Sequence, residues 1–359
     1  MRVLVTGGAG FVGSNLSIGL ARRHPGWELI ALDNLYRRGS ELNLPRLEEA
    51  GVRFVRADVR DLSALLELEG IEAVVECSAE PSALLGLEEG VAYGVHTNLT
   101  GAFNCLELAR RDRARLVFLS TSRVYPYGAL NALRTTETET RFALCPEQEV
   151  PGASEEGISE SFPLPGPRTL YGATKLGAEL LIAEYAAAHG LWAVIDRCGV
   201  IAGPWQMGRV DQGVFAYWVM HHHFGLPLRY IGHGGSGKQV RDLVHVDDLV
   251  ELVDEQLIDP ERWAGVTVNV GGGRGSSLSL REATEICREL TGVEVPIEPD
   301  PQPRPGDVRV YLSDCRALFQ LTAWRPRRGA AETLEEILRW VREAEDDLAR
   351  ALGIARGAA

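Results

Sequence analysis

The chain has 359 residues, of which 45% are hydrophobic, so it can bury a large core and suits one main domain with a smaller lobe. Its formal net charge of −13 argues against duplex nucleic acid as a partner, since such binding depends on dense lysine and arginine contacts to phosphate. No apolar run approaches the roughly twenty residues that span a bilayer, and the chain begins in a core strand without a charged leader. We therefore expect a cytoplasmic protein that binds neither nucleic acid nor membrane.

The amino-terminal segment predicts a nucleotide-binding turn. Residues 2–6 form a short apolar strand that runs directly into a glycine-rich stretch with the spacing GxxGxxG, and a helical pattern follows. In such a strand–turn–helix, Gly7 permits the tight turn, Gly10 lets the backbone approach a pyrophosphate, and Gly13 lets the helix pack close to the strand.

The second predicted strand, residues 29–32, indicates which dinucleotide is bound. It ends in Asp33, about twenty residues past the last glycine, where a carboxylate accepts hydrogen bonds from a ribose 2′-hydroxyl. An acid there favours NAD over NADP because it repels a 2′-phosphate. Arg37 and Arg38 follow closely, and we interpret them as solvated or beside the adenine.

Further strands at residues 53–56, 73–77 and 193–197 alternate with helices, which predicts a doubly wound parallel sheet. A long amphipathic helix is expected over residues 91–111. The strand that begins at Leu116 ends in three hydroxyl residues, 120–122, and the carboxyl ends of parallel strands face the ligand crevice. Thr121 is placed there to hydrogen bond a substrate hydroxyl that loses its proton.

Residues 170–175 bring a phenol and an ammonium together. Tyr171 and Lys175 are four residues apart, so on a helix they share one face. A nearby cation and a positively charged cofactor ring favour phenolate, which lowers a tyrosine pKa from its ordinary value of roughly 10. The spacing predicts that Tyr171 is a general base supported by Lys175.

The rest of the chain predicts a long loop and a second lobe. Residues 126–169 are irregular and contain six prolines, which is typical of a functional loop or flap, and the charged run 137–142 within it is interpreted as solvated. After Gly203 the chain crosses into a lobe assembled from several segments. Arg241, placed just before a helical stretch, and Arg309, after a proline-rich turn, are candidate diphosphate ligands, because a guanidinium grips phosphate bidentately.

Neither the histidines nor the cysteines predict a metal site. His221, His222 and His223 are consecutive, whereas a zinc pair on a helix is spaced i and i+4, so a solvated helix end is expected. The six cysteines contain no C-x-x-C pair and are interpreted as reduced and mostly buried.

The glycine loop, the hydroxyl-bearing strand end and the Tyr-x-x-x-Lys helix occur in an order that resembles the extended short-chain dehydrogenase/reductase family, in particular its nucleotide-sugar epimerases and dehydratases. The resemblance extends to about residue 340. It implies an α/β fold, with a Rossmann-type doubly wound parallel sheet and a smaller α/β substrate-binding lobe. It also implies NAD as the cofactor and a homodimer or higher homo-oligomer.

Within that family the chain is most similar to 2-epimerases of CDP-linked hexoses. Four strings carry the similarity: residues 121–125, 137–142, 210–213 and 237–241. Two residues depart from it, Pro126 in place of a glycine and Glu76 in place of a histidine. The implied division is an NAD-binding domain at 1–200 with a returning segment near 240–270, a nucleotide-sugar lobe at about 201–239 and 271–345, and a tail at 346–359.

The family resemblance assigns site residues at the matching positions. The catalytic residues are Thr121, Tyr171 and Lys175. The cofactor-binding residues are Gly7, Gly10, Phe11, Val12, Gly13, Asp33, Asn34, Arg37, Asp58, Val59, Ser78, Ala79, Asn98, Tyr171, Lys175 and Cys198. The substrate-binding residues are Arg123, Gln206, Gln212, Gln239, Arg241 and Arg309.

The residues after Thr121 separate the reactions of the family. A 4,6-dehydratase needs an acid and a base there and a decarboxylase needs a glutamate, and Ser122 and Arg123 supply neither. The resemblance therefore implies an NAD-dependent epimerase that inverts carbon 2 of a CDP-linked hexose through a transient ketone. Two alternatives stay open: a 4-epimerase of a UDP- or CDP-sugar, and a non-catalytic NAD-binding scaffold or sensor.

Overall fold

The computed structural model describes residues 1–82, 90–209 and 212–353. Seventeen strands lie in these ranges. They are β1 (Arg2–Thr6), β2 (Glu28–Asp33), β3 (Arg53–Arg56), β4 (Ala73–Glu76), β5 (Arg115–Thr121), β6 (Thr135–Glu137), β7 (Phe142–Leu144), β8 (Ala153–Ser154), β9 (Gly157–Ile158), β10 (Ala193–Cys198), β11 (Val200–Ala202), β12 (Leu228–Ile231), β13 (Val240–His245), β14 (Val266–Val270), β15 (Ser277–Ser279), β16 (Ile297–Asp300) and β17 (Val310–Tyr311).

Fourteen α-helices lie in the same described ranges. They are α1 (Phe11–Arg23), α2 (Leu44–Glu49), α3 (Leu62–Leu66), α4 (Val91–Val95), α5 (Gly101–Asp112), α6 (Tyr127–Asn131), α7 (Leu170–His189), α8 (Val214–His223), α9 (Val246–Ile258), α10 (Pro260–Trp263), α11 (Leu280–Thr291), α12 (Arg316–Leu321), α13 (Ala330–Glu343) and α14 (Glu345–Leu352). A π-helical segment, His96–Thr100, joins α4 to α5, so the long helix predicted from residue 91 is confirmed with one irregular turn. No helix of the described ranges is long and apolar enough to cross a membrane.

Seven parallel strands form the main sheet, in the order β3-β2-β1-β4-β5-β10-β14. Its central strands are buried on both faces, as their near-continuous apolar sequences require. Helices α1 and α9 pack on one face, while α5 and α7 pack on the other. This is a Rossmann-type doubly wound sheet, and the predicted fold class is confirmed.

The second lobe combines short strands with helices α8, α11 and α13. Strands β11, β13 and β15 form its sheet, with β17 beside β13. Arg241 lies within β13, and the helix begins only at Val246, so its predicted place just before a helix is wrong by the length of the strand. Helix α14 buries Leu348 against the same core, so the segment predicted as a tail begins as a packed helix.

Residues 126–169 fold into α6 and two hairpins, β6–β7 and β8–β9. The first hairpin is fixed to the second lobe by two ion pairs. Arg141 Nη2 lies 2.5 Å from Glu282 Oε2, and Lys238 Nζ lies 2.8 Å from Glu137 Oε1. Two members of the charged run, Glu137 and Arg141, are therefore ion-paired, although residues 137–139 are exposed as expected. The insertion packs beside the second lobe.

The three consecutive histidines end α8 and contact three different partners. His222 is 1% exposed and its Nδ1 lies 2.9 Å from the carbonyl oxygen of Trp218, so the expected solvated helix end is wrong for this residue. His221 and His223 lie beside Pro227 and Glu345. All six cysteines are unpaired and four are buried, as predicted.

Candidate active site

The carboxyl ends of β1, β2, β4, β5 and β10 surround a cavity of about 350 Å³, here called the strand-end cavity. This is the edge of a doubly wound sheet at which nucleotides bind. Most of the predicted cofactor-binding residues line it, with the exceptions of Asp58 and Asn98.

The glycine loop is shaped to let a ligand approach the backbone. Gly7 has a φ of +62°, and a Cβ on Gly13 would lie less than 3.0 Å from the Gly7 carbonyl oxygen. Gly10 is the N-terminal cap of α1 and lines the cavity together with Phe11 and Val12. The positive end of the helix dipole and free backbone N–H groups therefore face the cavity, an arrangement that suits a pyrophosphate.

Asp33 ends β2 and is held by backbone amides. Its Oδ1 accepts from Leu35 N at 2.7 Å and its Oδ2 accepts from Ala9 N at 3.2 Å. Burial raises the pKa of Asp33, and these N–H groups oppose the rise. The carboxylate lines the strand-end cavity beside the glycine loop, so the residues present fit a dinucleotide with a free ribose 2′-hydroxyl.

Asp58 does not line the cavity but orients a residue that does. It accepts from Asn34 Nδ2 at 2.9 Å and from Arg60, whose hydrogen bonds are the main cause of its pKa of about 2. No local pattern indicates the neighbouring aromatic pair, Tyr36 and Tyr93, whose ring centroids are 4.3 Å apart. The two tyrosines come from separate elements, and only the fold brings them together at the cavity wall.

Asn98, predicted to contact the cofactor, does not line the strand-end cavity and instead holds together elements behind it. It is fully buried in the π-helical segment, donates to Thr174 Oγ1 at 3.1 Å, and accepts from Glu80 N at 2.7 Å. It therefore connects the loop after β4 to helix α7. π-Helical turns are frequent at functional sites because they redirect one side chain.

Helix α7 begins where it brings Tyr171 against the end of β5. Thr169 caps the helix by accepting from Gly172 N at 3.2 Å. In the same turn, Gly172 lies against the carbonyl oxygen of Arg123, which leaves no room for a side chain there. Thr121, Tyr171 and Lys175 line the cavity together, and the Thr121 hydroxyl lies close enough to lower the pKa of Tyr171.

The residues of the chain, without a cofactor, raise the pKa of Tyr171 above its ordinary value. Burial is the main cause, and Lys175 and Thr121 oppose it. The prediction of a lowered pKa is wrong for the chain alone, because it weighed the neighbouring cation without the larger effect of burial.

Lys175 is paired with Glu76, one of the two residues that depart from the family pattern. Its Nζ lies 3.2 Å from Glu76 Oε2 and 3.9 Å from the centroid of the Phe118 ring. Burial raises the pKa of Glu76, and the charge of Lys175 opposes the rise. Lys175 lines the strand-end cavity, and Glu76 lies behind it.

A second buried pair fixes α7 to the sheet. Glu179, one turn beyond Lys175, accepts from Arg197 Nη2 on β10 at 2.7 Å and also from the hydroxyl of Ser120 on β5. Arg197 in turn donates to the hydroxyl of Tyr125 at 3.3 Å. This network was not predicted, because its only signal in the sequence is a charged residue inside each of two largely apolar segments.

A second cavity of about 170 Å³, here called the arginine cavity, adjoins the first. Arg123, Gln212 and Gly213 line both cavities, and the predicted catalytic residues Thr121, Tyr171 and Lys175 line the first. The arginine cavity has cationic walls and an apolar end. Its side chains include those of Arg229, Gln239, Arg241 and Arg304, together with Phe215 and Trp218.

Arg241 is oriented by an acid. Its Nη2 lies 2.7 Å from Asp307 Oδ1, and His233 approaches the other carboxylate oxygen at 3.4 Å. Burial lowers the pKa of Arg241 to about 10, although Asp307 opposes the shift. Burial acts against ionisation of Asp307 as well, but His233 and Arg241 hold its pKa well below the usual range.

The structure does not bring Arg309 into either cavity. Its guanidinium donates to the carbonyl oxygen of Asn131 at 3.1 Å and approaches Thr135 Oγ1 at 3.4 Å. Arg304, in the same proline-rich turn, lines the arginine cavity instead. Gln206 lines the strand-end cavity. Residues 210 and 211, the first two of the string 210–213 that carries the family similarity, lie outside the described residues.

One group of three metal-ligand side chains occurs in the described ranges: His245, Asp247 and Glu336. The Arg328 guanidinium lies 3.3 Å from Asp247 Oδ2 and 3.4 Å from Glu336 Oε1. The two carboxylates are thus already compensated by a side-chain cation.

Comparison with known families gives one match over most of the chain. The model of the NAD dependent epimerase/dehydratase family matches residues 3–271.

Individual relatives extend over nearly the full length. CDP-paratose 2-epimerase of Salmonella typhi is 28% identical over 352 residues, covering 95% of this chain and 99% of that protein. dTDP-glucose 4,6-dehydratase of Mycobacterium tuberculosis is 30% identical, covering 96% of this chain and 94% of that protein. The solved structure of Thermus thermophilus UDP-glucose 4-epimerase with NAD has a TM-score of 0.76 and 30% identity, covering 96% of this chain and 100% of that chain.

Proposed function

We propose, because this chain belongs to the NAD-dependent epimerase/dehydratase family, that it is an epimerase which inverts carbon 2 of a CDP-linked hexose. Its cofactor is NAD, held by the glycine loop, Asp33 and the ends of the parallel strands. When bound, NAD supplies a reversible hydride acceptor.

The residues that follow Thr121 favour epimerisation over elimination of water. Elimination of water from a sugar needs an acid and a base beside the reacting carbons, but here Ser122 and Arg123 line the cavity. The side chain of Arg123 donates to the Gly306 carbonyl oxygen at 2.9 Å, which directs a fixed cation towards the junction of the two cavities. A permanent cation at this point suits binding of the substrate and not proton shuttling.

The proton transfers are assigned to Tyr171. It removes the proton of a sugar hydroxyl as the carbinol carbon is oxidised, and returns it after the ketone has turned in the site. The Thr121 hydroxyl and the charge of Lys175 both favour the phenolate. Inversion requires only that the ketone present its opposite face before reduction.

The arginine cavity is assigned to the diphosphate and base of the nucleotide sugar. Arg241, with its direction set by Asp307, is the principal phosphate ligand, and Arg229 and Arg304 add positive charge to the same walls. Phe215 and Trp218 supply the apolar end. The sugar then extends past Arg123 to Tyr171.

The choice of carbon 2 rests on the resemblance of local strings and on the similarity to CDP-paratose 2-epimerase. A 4-epimerase of a UDP- or CDP-sugar is the second candidate, favoured by the similarity to Thermus thermophilus UDP-glucose 4-epimerase. Both reactions use the same base and cofactor and differ in which hydroxyl faces Tyr171.

We also propose that the protein is a cytoplasmic homodimer. Phe103 on α5 is 38% exposed and Leu180 on α7 is 64% exposed, and the two helices pack side by side on one face of the sheet. Exposed apolar residues on adjoining helices suit an interface with a second copy.

Purified protein should retain NAD and interconvert a CDP-hexose with its carbon 2 epimer, followed by NMR of the sugar. Tyr171→Phe should keep its fold and its NAD while losing at least the roughly hundredfold typical of a positioned base. NAD retention without turnover of any CDP-, UDP- or dTDP-hexose would favour a non-catalytic scaffold or sensor instead.

A further inference from the structure

The ion pair between Lys175 and Glu76 is closed to solvent. Both side chains are 1% exposed, and the Nζ to Oε2 distance is 3.2 Å. The other oxygen of Glu76, Oε1, has no hydrogen-bond partner among the described residues. Lys175 is thus the main compensation for burying this carboxylate, and Glu76 is the one carboxylate paired with Lys175 in the described ranges.

Glu76 and Phe118 together form a seat for the ammonium. They are register partners on the parallel strands β4 and β5, so their side chains leave the same face of the sheet side by side. The Lys175 Nζ lies 3.9 Å from the Phe118 ring centroid and within reach of the carboxylate. Lys175 lines the strand-end cavity whereas Glu76 does not, so the acid lies behind the ammonium as seen from the cavity.

We propose that Glu76 is a positioning residue that keeps Lys175 protonated and seated on Phe118, so that a fixed positive charge lies one helical turn from Tyr171. The proposal rests on the proposed function in one respect, the role of Tyr171 as the base.

The physical need for Glu76 follows from burial. Taking an ammonium out of water disfavours its charged form by as much as 3–5 pH units when no opposite charge is near. The Phe118 ring attracts the cation through its quadrupole but carries no compensating charge. Without the carboxylate, Lys175 would lose its proton more readily, and the phenolate of Tyr171 would lose its nearest cation.

The other titratable groups around the pair stay neutral. Cys77, which directly follows β4, and Cys105 on α5 lie near Glu76, and Cys198 on β10 lies near Tyr171. Burial raises the pKa of all three thiols well above the ordinary value. Within this cluster, the charge balance at Tyr171 is therefore set by Lys175 and Glu76.

The composition of the chain makes Lys175 directly observable. It contains only two lysines, Lys175 and Lys238. Lysine labelled with ¹³C and ¹⁵N would give two side-chain NMR signals, and Lys238, which is 15% exposed and paired with the 57% exposed Glu137, serves as an internal reference. The measurement needs no substrate, so its failure is distinguishable from failure of the proposed function.

The test compares pH titrations of the two signals in wild type, Glu76→Gln and Glu76→Asp. In Glu76→Gln the Lys175 signal should titrate at least about one pH unit lower than in wild type, whereas Glu76→Asp, which keeps the charge, should restore most of the difference. The Lys238 signal should not move. Glu137→Gln, the same change at the other lysine, should leave Lys175 unaffected and shift Lys238 little, because surface pairs are screened by solvent.

The pH profile supplies a second readout that a purely structural role would not move. Because Lys175 must be charged to favour the phenolate, the basic limb of kcat/KM should move to lower pH in Glu76→Gln. Glu76→His removes the carboxylate in a second way and replaces Glu76→Gln if that variant does not fold. An unchanged Lys175 titration in a folded variant without the carboxylate would overturn the proposal.

Discussion

Gly172 lies against the carbonyl oxygen of Arg123 so closely that a Cβ would come within 3.0 Å of it. This contact joins the start of α7, which carries Tyr171, to the turn after β5, which follows Thr121. The absence of a side chain at position 172 thus lets the start of α7 lie close to the end of β5.

Gly172→Ala should therefore separate the two elements. We expect a loss of about 1–3 kcal/mol in the free energy of unfolding, the usual cost of overpacking, and a larger fall in kcat than in NAD affinity. Denaturant unfolding and steady-state kinetics measure both. The matched control is Gly177→Ala on the same helix, where a Cβ meets only the tip of Leu99 at 3.2 Å. Equal behaviour of the two variants would show that the close approach is unimportant.

Arg241 and Arg309 form a second matched pair. Arg241→Ala should weaken binding of CDP by about 1.5–3 kcal/mol, the range for hydrogen bonds to charged groups, while bound NAD is unaffected. Arg309→Ala should leave the affinity within experimental error, because its guanidinium contacts Asn131 and Thr135 outside both cavities. Calorimetric titration with CDP and UDP measures the difference. A larger effect at Arg309 would place the diphosphate elsewhere.

Asp33 should set the preference for NAD over NADP. Asp33→Asn keeps the shape of the side chain but removes the charge that repels a 2′-phosphate. The ratio of NADP to NAD affinity should then rise about tenfold, which corresponds to about 1.4 kcal/mol. Fluorescence titration of both cofactors measures the ratio. Wild type that binds NADP as tightly as NAD would contradict the role given to this carboxylate.

The buried carboxyl of Asp196 should make the free energy of unfolding depend on pH. It is fully buried on β10, and burial raises its pKa to about 7, opposed by a hydrogen bond of 2.8 Å from Gln256. The unfolded chain, with an ordinary pKa of about 3.9, loses this proton first. The contribution of Asp196 to stability therefore falls as pH rises from about 4 to 7.

Asp196→Asn should remove that fall, raising stability at pH 8 relative to pH 4 by up to about 4 kcal/mol compared with wild type. Urea unfolding at several pH values measures it. The control is Glu335→Gln at a residue that is 58% exposed, which should leave the pH dependence unchanged. Parallel curves for wild type and Asp196→Asn would contradict the assignment.

The sequence predicted the features that depend on local pattern. The glycine loop, Asp33 at the end of β2, and the pair of Tyr171 and Lys175 on one helix follow from periodicity and turn chemistry within short segments. The main sheet follows from the alternation of such segments.

The sequence did not predict features that depend on contacts between distant segments. Arg304 and Arg309 are five residues apart, and only the fold decides which of them faces the cavity. The pairing of Glu76 with Lys175 joins β4 to α7 across 99 positions. The direction of the Tyr171 pKa shift depends on burial, which no local pattern encodes.

Oxidation at carbon 2 is tested most directly by a kinetic isotope effect from deuterium at that carbon. A CDP-hexose labelled with deuterium at carbon 2 should show a primary isotope effect on the chemical step and should keep its label in the epimer, since the hydride is removed and returned within one site. The same sugar labelled at carbon 4 should react at the unlabelled rate. An isotope effect from carbon 4 with none from carbon 2 would contradict the 2-epimerase and favour the 4-epimerase.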